Sequence, residues 1–494
     1  MRVLMVTPEA TPFAQTGGLG EVMSALPGEL VKLGIEVDVL MPMYRGITPA
    51  RIPMDPLDVE VYLTLNVKEH KGKLWRHVNE RGVCYLFLQC DEYYDREGLY
   101  GVGGRDYEDN SERFVFLARA AIETTLSRHI HYDVFHCHDW QTALVPVYLR
   151  TLYTREPVLE SAATVMTIHN LGYQGIFWHL DMPLVGVGWE YFTPAHMEYY
   201  GRLNFLKSGI VFSDEVNTVS PGYRNEVLTP EFGFGLEGVL QEKGDRFTGI
   251  LNGVDYTVWN PENDRYLTTP YGSSDLRGKA ICKTDLQRIA GLSERQDTPL
   301  IAMVSRLSGQ KGVDLFASVL PALMETDVQV VILGTGETIY QDAFRRAVEE
   351  YPGKITFFMA YDFELAHKIF AGADIMVVPS RYEPCGLNQL YALKYGTVPV
   401  VRATGGLIDT VEEYNRETES GTGFRFDLPD ADHLKAALDK AIKLFREDQE
   451  AWKRLMIRGM QCDFSWTRSA IAYQRLYEKA IHTRASQLRG VGIR

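Results

Sequence analysis

The chain has 494 residues, of which 45% are hydrophobic and 23% charged, and its formal net charge is −14. The length exceeds what one hydrophobic core can organise and predicts two or three domains, and the composition excludes a disordered or fibrous chain. So acidic a chain is not expected to bind nucleic acid or an anionic membrane surface.

Neither a membrane span nor an export signal is predicted. No run of 18 apolar residues is present, and the apolar stretch after Met1 ends at Pro8, which is too short for a signal peptide. The six cysteines are scattered without a CxxC pair, so they indicate neither a zinc site nor a redox pair. We therefore expect a cytoplasmic protein with reduced thiols.

Predicted strands and helices alternate along the whole chain. In the first half, the predicted strands are 2–7, 36–41, 83–89, 133–137 and 164–168, and the helices include 20–33, 111–128 and 140–152. In the second half, the strands are 299–305, 328–333, 355–359, 374–378 and 398–401, and the helices are 311–324, 338–351, 363–371 and 387–395. Repeated βα units predict a parallel sheet in each half, with helices on both faces.

A turn-rich stretch around 250–263 separates the two halves. The fold class is therefore α/β, with two doubly wound Rossmann-like domains, 1–255 and 256–465, facing across a cleft. In such folds ligands bind at the carboxyl ends of the strands, so the loops that follow the strands are the candidate sites.

The first candidate loop, 15–21, follows the first strand and contains Gly17 and Gly18 at a helix start. Adjacent glycines let the backbone approach an anion there. A tight turn between a strand and a helix explains the same pair.

Two further loops carry histidines. His136, His138 and Asp139 end one strand, and His169 and Asn170 end the next. Two histidines two positions apart with one carboxylate are weak evidence for a metal. Asp139 is also placed to cap the helix that begins at Trp140, and this role is compatible with ligand binding.

In the second half, Arg306 ends a strand and Lys311 begins the next helix. Two cations on one loop suit a diphosphate, in which Arg binds in a fork and Lys acts as a point charge. An exposed Arg/Lys pair without a ligand is the alternative.

The most informative segment is 383–397, which follows the apolar strand 374–378. It places Glu383 just before Cys385, Gly386 and a helix, so an acid and free backbone N–H groups lie at the carboxyl end of a sheet. Two weaker glycine patterns, 333–336 and 404–407, follow neighbouring strands; the first lacks the third glycine of a dinucleotide fingerprint.

Together these segments resemble the bacterial glycogen synthases and plant starch synthases. That family carries a Lys-Thr-Gly-Gly-Leu loop, a Thr-Ile-His-Asn segment and an Arg–Lys pair with the spacing found here. The resemblance runs from Thr7 to about Tyr477. It implies a retaining glycosyltransferase with the GT-B fold, in which the last segment, 466–494, contains a helix that crosses back to the first domain.

The resemblance also implies roles for individual residues. The catalytic residues would be Glu383, His169, Arg306 and Lys311. The acceptor would contact Glu9, Tyr94, Asp139 and Asn170. The donor would contact Gln15, Gly17, Gly18, Asn252, Arg306, Lys311, Tyr361, Glu383, Cys385, Gly386, Leu387, Asn388, Thr404, Gly405 and Gly406.

The implied reaction transfers glucose from ADP-glucose to the non-reducing end of an α-1,4-glucan such as glycogen, without a cofactor or metal. UDP-glucose is the alternative donor. Two other classes remain: a non-polymerising sugar-nucleotide enzyme of the same fold, such as an epimerase or hydrolase, and a silent glucan-binding protein. Donor turnover without an acceptor would favour the first, and loss of Glu383, Arg306 or Lys311 would have favoured the second. The oligomeric state is not predicted.

One position departs from the family pattern. Gln15 stands where the family usually has Lys, so a full positive charge is missing beside the donor loop. If the lysine acts only on the donor phosphates, Gln15→Lys should tighten donor binding by about 1 kcal/mol. If Gln15 instead bonds its own loop or the acceptor, lysine should not help.

Overall fold

The computed structural model describes residues 1–491 and divides into two α/β units. The N-terminal unit comprises Met1–Val219, Arg224–Gly253 and the chain from Trp466 onward. The C-terminal unit comprises Ser220–Tyr223 and Val254–Ser465. Two Rossmann-like units are what the sequence predicts, and each is described by itself below.

The N-terminal unit is built on a nine-stranded sheet with the order β14-β13-β9-β8-β1-β2-β5-β4-β3. Strands β1, β8 and β9 are buried along almost their whole length, as parallel strands covered on both faces must be. The strands of the unit are β1 Arg2–Val6, β2 Glu36–Pro42, β3 Asp55–Leu65, β4 Lys68–Val78, β5 Cys84–Gln89, β6 Gly101–Val102, β7 Arg105–Asp106, β8 Val134–His138, β9 Ala163–Ile168, β10 Ile176–Trp178, β11 Glu198–Tyr199, β12 Arg202–Asn204, β13 Glu215–Thr218 and β14 Phe247–Gly249.

The prediction of a purely parallel sheet in this half is wrong at one edge. Strands β14 to β5 pair in parallel, but β4 pairs antiparallel with both β5 and β3. Strands β3 and β4 are separated by Asn66 and Val67 alone, and so short a link can join only antiparallel strands. Both strands alternate exposed and buried residues, so neither shows the continuous apolar run that revealed the central strands.

The helices that follow these strands agree with the predicted positions to within a few residues, except that the predicted helix 140–152 is interrupted. It begins with a 3-10 turn, Trp140–Thr142, before the α-helix proper. The helices up to Lys243 are α1 Gly18–Lys32, α2 Asp91–Tyr94, α3 Asn110–Ser127, α4 Leu144–Arg150, α5 Pro157–Glu160, α6 Met182–Val185, α7 Phe205–Phe212, α8 Pro221–Glu226 and α9 Glu237–Lys243.

The C-terminal helix, Trp466–Val491, packs on the N-terminal unit, as the resemblance implies. Its Tyr477 hydroxyl lies 2.8 Å from Nδ1 of His136, in the middle of the buried strand β8. Its Tyr473 hydroxyl accepts a hydrogen bond of 3.2 Å from Nδ2 of Asn217 in β13. The last helix of the chain therefore orders polar side chains of the first sheet.

The C-terminal unit contains a six-stranded sheet with the order β17-β16-β15-β18-β19-β20, in which every neighbouring pair is parallel. Its strands are β15 Leu300–Val304, β16 Gln329–Leu333, β17 Ile355–Phe358, β18 Ile375–Val378, β19 Val398–Arg402 and β20 Phe424–Phe426. Its helices are α10 Arg277–Ile289, α11 Val313–Met324, α12 Thr338–Glu350, α13 Phe363–Gly372, α14 Asn388–Lys394, α15 Gly406–Thr410, α16 Ala431–Glu447 and α17 Gln449–Gln461.

Neighbouring parallel strands end at one edge, and this brings the candidate loops together within each unit. In the C-terminal unit, β15, β18 and β19 are adjacent, so the loops after Val304, Val378 and Arg402 share an edge. In the N-terminal unit, β1, β8 and β9 are adjacent in the same way. Among residues 1–491, no helix is both long and apolar enough to span a membrane.

Candidate active site

Glu383 and Lys311 form an ion pair at the edge of the C-terminal sheet. Glu383 is only 5% exposed, and its Oε2 accepts hydrogen bonds from Lys311 Nζ at 2.6 Å and Ser380 Oγ at 2.8 Å. Its Oε1 accepts no hydrogen bond from any described residue. A carboxylate so deeply buried needs such a cation, and one of its oxygens is left for a ligand.

Arg306 lies at the same edge, two residues beyond the end of β15. Its side chain is exposed, and its guanidinium makes no hydrogen bond or ion pair within residues 1–491. The loop therefore offers one cation already engaged with Glu383 and one that is free to bind an anion.

Glycines let the surrounding loops approach one another closely. Gly406 N donates to the carbonyl of Glu383 at 3.0 Å, and a Cβ on Gly406 would meet the carbonyl oxygen of Cys385 at 2.3 Å. Gly386 has φ +74, which a residue with a side chain rarely adopts. Asn388 completes the arrangement by donating from Nδ2 to the carbonyl of Val304.

The remaining predicted donor residues lie in different settings. Thr404 and Gly405 belong to the loop after β19, and Leu387 precedes α14. Tyr361 is 79% exposed in the loop before α13. Asn252 belongs to the N-terminal unit, where it is buried and its Oδ1 finds no hydrogen-bond partner in the described part of the chain.

In the N-terminal unit, Glu9 holds the glycine loop in place. Its carboxylate accepts from the Thr16 backbone at 2.7 Å, the Thr16 hydroxyl at 2.6 Å, the Gly17 backbone at 3.2 Å and the Tyr100 hydroxyl at 2.6 Å. All four contacts are internal to the unit. In this conformation the Glu9 carboxylate, which was predicted to contact the acceptor, instead binds the glycine loop and Tyr100.

The two glycines of this loop are not required by crowding. A Cβ built on Gly17 or Gly18 would meet no atom within 4 Å. The space at the start of α1 is therefore open, as a ligand approaching the helix N-terminus would need.

Gln15 hydrogen-bonds its own loop. Its Oε1 accepts from Thr11 Oγ1 at 2.9 Å, and its Nε2 donates to the Gly17 carbonyl at 3.2 Å and to Glu21 Oε1 at 3.4 Å. This is the arrangement in which a lysine at position 15 would bring no advantage, because lysine cannot accept from Thr11 and its charge would lie beside Glu21.

We therefore expect Gln15→Lys to change the Kd for the sugar nucleotide by less than about twofold, because Glu21 neutralises the new charge. The double variant Gln15→Lys/Glu21→Gln should tighten binding about fivefold, which is the usual effect of one charge near a helix N-terminus. Calorimetric titration with ADP-glucose and UDP-glucose measures both. Glu21→Gln alone is the control. A fivefold gain in affinity in the Gln15→Lys variant would show that Glu21 does not neutralise the charge of the new lysine.

Asp139 adopts a conformation that directs its carboxylate to the next strand. Its φ is +57, and its Oδ1 accepts from the His169 backbone N–H at 2.7 Å. It makes no capping bond to the turn at Trp140, so the predicted N-cap role is wrong. Burial, with a smaller contribution from Glu9, raises the pKa of Asp139 to about 7.

Asp139→Asn is expected to stabilise the fold at pH 8 and to leave it nearly unchanged at pH 4. The folded pKa of about 7 lies above the value of about 3.9 in an unfolded chain. The folded chain therefore holds a proton that the unfolded chain has lost, and stability falls as the pH rises between these values. Asn cannot ionise, yet its Oδ1 still accepts from His169.

Urea unfolding at both pH values measures this effect, with Asp58→Asn as a control on an exposed carboxylate. An equal shift of the midpoint at pH 4 and pH 8 would mean that ionisation of Asp139 is not the cause.

His169 lies beside His138, with Nε2 of His169 3.0 Å from Nδ1 of His138. Asn170 uses its Oδ1 to accept from Gly172 N at 3.0 Å, within its own turn. Tyr94 is fully buried, and its hydroxyl donates to the carbonyl of Arg113 at 2.9 Å. In this conformation the Tyr94 side chain is therefore not accessible to an acceptor, contrary to the predicted role.

Comparison with known proteins places this geometry in a family. A family model described as the starch synthase catalytic domain matches residues 2–242, and one described as glycosyl transferases group 1 matches residues 287–455. A glycogen synthase of Koribacter versatilis is 44% identical over 98% of this chain and 99% of its own length. The chain belongs to the glycogen and starch synthase family. A glycogen synthase of Anaeromyxobacter dehalogenans is 45% identical over 97% of this chain and 98% of its own.

Solved structures agree with membership of the glycogen and starch synthase family. The catalytic domain of starch synthase IV from Arabidopsis thaliana, bound to ADP and acarbose, superimposes with a TM-score of 0.90 at 34% identity, covering 97% of this chain and 99% of that one. A sucrose-phosphate synthase from Thermosynechococcus elongatus has a TM-score of 0.60 at 18% identity over 97% of this chain and 98% of its own, which shows the fold alone. The chain is thus a glycosyltransferase with the GT-B fold.

Two polar contacts of this site were not predicted from the sequence. Ser380 binds Glu383, and its position at the end of an apolar strand, three residues before the acid, was an available signal. His138 contacts His169 across two strands that are 31 positions apart in the chain, and no local pattern reveals that contact. Within residues 1–491, no group of three or more His, Cys, Asp or Glu side chains could hold a metal ion.

Proposed function

We propose that the chain transfers glucose from ADP-glucose to the non-reducing end of an α-1,4-glucan, with retention of configuration and release of ADP. The observation that carries this proposal is the cluster in which Lys311 and Ser380 hold one oxygen of the buried Glu383 carboxylate. A ligand with both an anionic and a polyhydroxyl part, such as a nucleotide sugar, can use the cations and the free carboxylate oxygen together.

In the proposed reaction the cations stabilise the leaving group. As the bond between glucose C1 and the diphosphate oxygen breaks, negative charge grows on the diphosphate, and Arg306 and Lys311 are the groups that would receive it. Arg306 is free to do so, while Lys311 would share its ammonium between the phosphate and Glu383.

The glucosyl group acquires positive charge in the same step. The free Oε1 of Glu383 would hold glucose hydroxyls and favour that charge. The acceptor 4-hydroxyl attacks C1 from the leaving-group face, and its proton passes to the departing diphosphate oxygen. Because the new C–O bond forms on the same face of C1 from which the old one breaks, the α-configuration is kept without a covalent enzyme intermediate.

ADP-glucose is proposed as the donor because the resemblance is to the ADP-glucose enzymes of bacteria and plastids. The structural relative bound to ADP supports the same choice. UDP-glucose is the second candidate, because Gln15 replaces the lysine that the family usually has in the donor loop.

Parallel assays of the purified protein with glycogen and each labelled nucleotide sugar test the proposal. Incorporation into glycogen should be faster with ADP-glucose at equal concentration. Preference for UDP-glucose would reverse the donor assignment. Release of free glucose or an epimer without incorporation would instead identify a non-polymerising enzyme.

A further inference from the structure

His138 has one engaged nitrogen and one without a partner. The side chain is fully buried at the end of β8. Its Nδ1 lies 3.0 Å from Nε2 of His169, whereas its Nε2 is buried and has no hydrogen-bond partner among residues 1–491. His169 is half-buried, and its own Nδ1 makes no hydrogen bond within the described residues.

The neighbouring His136 has a tautomer that its contacts define. Thr167 donates its only hydroxyl proton to Asn217 Oδ1 at 2.6 Å, so its oxygen must accept from Nε2 of His136, 2.6 Å away. Nδ1 of His136 then accepts from the Tyr477 hydroxyl at 2.8 Å. Since both nitrogens are satisfied by neutral groups, His136 is a neutral Nε2–H imidazole.

The imidazoles of His138 and His169 are also uncharged. Burial lowers the pKa of His169 to about 3 and holds the pKa of His138 well below its usual range. The His136 ring lies 4.0 Å from the His138 ring, centroid to centroid. The carboxylate of Asp139, the residue that follows His138, accepts from the backbone of His169 rather than from either imidazole. Both rings are therefore neutral near pH 7.

Two neutral imidazoles share one proton in the His138–His169 hydrogen bond, and two arrangements are open. If His169 donated, the proton of His138 would lie on its buried Nε2, for which no described residue offers an acceptor. If His138 donates from Nδ1, the unpartnered Nε2 carries only a lone pair. Buried N–H donors without an acceptor are rarer and costlier than unpaired acceptors, so the second arrangement is favoured.

We propose that His138 is a positioning residue that holds His169 in the Nδ1–H tautomer, so that His169 presents a hydrogen-bond donor to a sugar hydroxyl oxygen of the nucleotide-sugar substrate. The sugar contact rests on the proposed function. The tautomer itself does not, because it follows from contacts inside the N-terminal unit.

Nitrogen NMR of the full-length protein labelled with [15N]histidine tests the tautomer directly. The signals of His169, assigned from their loss in His169→Asn, should show a protonated Nδ1 and an unprotonated Nε2 at pH 7. In His138→Phe that preference should disappear. Tyr477→Phe is the matched control, because it removes a hydrogen bond from the same cluster without touching the His138–His169 contact. A His169 protonated on Nε2 in the unaltered protein would overturn the proposal.

Kinetics test the positioning role. His138→Phe should lower kcat about 10-fold or more, with a smaller change in KM for the glucan. His138→Asn, whose Nδ2–H can take the place of the imidazole Nδ1–H, should stay within about threefold of the unaltered protein. If His138→Phe and His138→Asn lost kcat equally, and in proportion to their loss of stability, the role of His138 would be structural only and the proposal would be overturned. If no glucosyl transfer is found at all, the proposed function fails, but the NMR experiment still decides the tautomer.

Discussion

Glu383→Ala should lower the turnover of glucosyl transfer by about 10²-fold or more, the usual cost of losing a preorganised electrostatic contact in a transition state. The acid is almost fully buried, and one of its oxygens is held by Lys311 and Ser380. The other oxygen would contact the reacting sugar in the proposed reaction. Steady-state transfer from ADP-glucose to glycogen measures the loss.

The fold must be checked in the same variant, because Lys311 loses its partner. Glu383→Gln keeps the shape and the contact with Ser380 and removes only the charge, so it should lose nearly as much turnover with less effect on thermal stability. Glu349→Gln, on the exposed face of α12, is the control. A folded Glu383→Gln protein with near-normal turnover would show that the charge of this carboxylate has no catalytic role.

Arg306→Ala and Lys311→Ala should each lower kcat/KM for the donor by about 10²-fold and leave the affinity for glycogen almost unchanged. The two variants should differ in stability. Arg306 is exposed and unpaired within the described residues, so its loss should not move Tm. Lys311→Ala leaves the Glu383 carboxylate buried with only Ser380, and an uncompensated buried charge is strongly destabilising.

Measuring Tm by thermal unfolding, together with kcat/KM for the donor and the affinity for glycogen, separates the effects on stability from those on donor binding. Arg346→Ala, an exposed arginine on α12, is the control for removing a positive charge from the same unit. If Arg306→Ala weakened glycogen binding instead, or if Lys311→Ala left Tm unchanged, the assignment of these cations to the donor diphosphate and to Glu383 would be wrong.

The sequence predicts the central strands well because they are buried on both faces. Each appears as a continuous apolar run, for example residues 375–378 in β18. The hairpin β3–β4 was not predicted, because its strands alternate exposed and buried residues. The three-stranded sheet β10-β12-β11 was not predicted either, because its strands have only two or three residues.

The candidate site was predictable as a set of loops but not as a set of contacts. Spacing and resemblance single out Glu383 and Lys311, yet their ion pair joins residues 72 positions apart and depends on β15 lying beside β18. Likewise, nothing in the sequence tells that Glu9 is saturated by four donors or that the positive φ of Asp139 turns its carboxylate toward His169. Such features arise only when the strand ends meet in the folded chain.

The linkage formed from labelled donor shows whether the chain carries out the proposed α-1,4 transfer. ADP-glucose carrying 13C at glucose C1 is incubated with a maltooligosaccharide, and the product is observed by NMR. The proposed transfer should give one new α-linked signal, attached at O4 of the non-reducing end. A β-linked product, attachment at another position, or label recovered only as free glucose would contradict it.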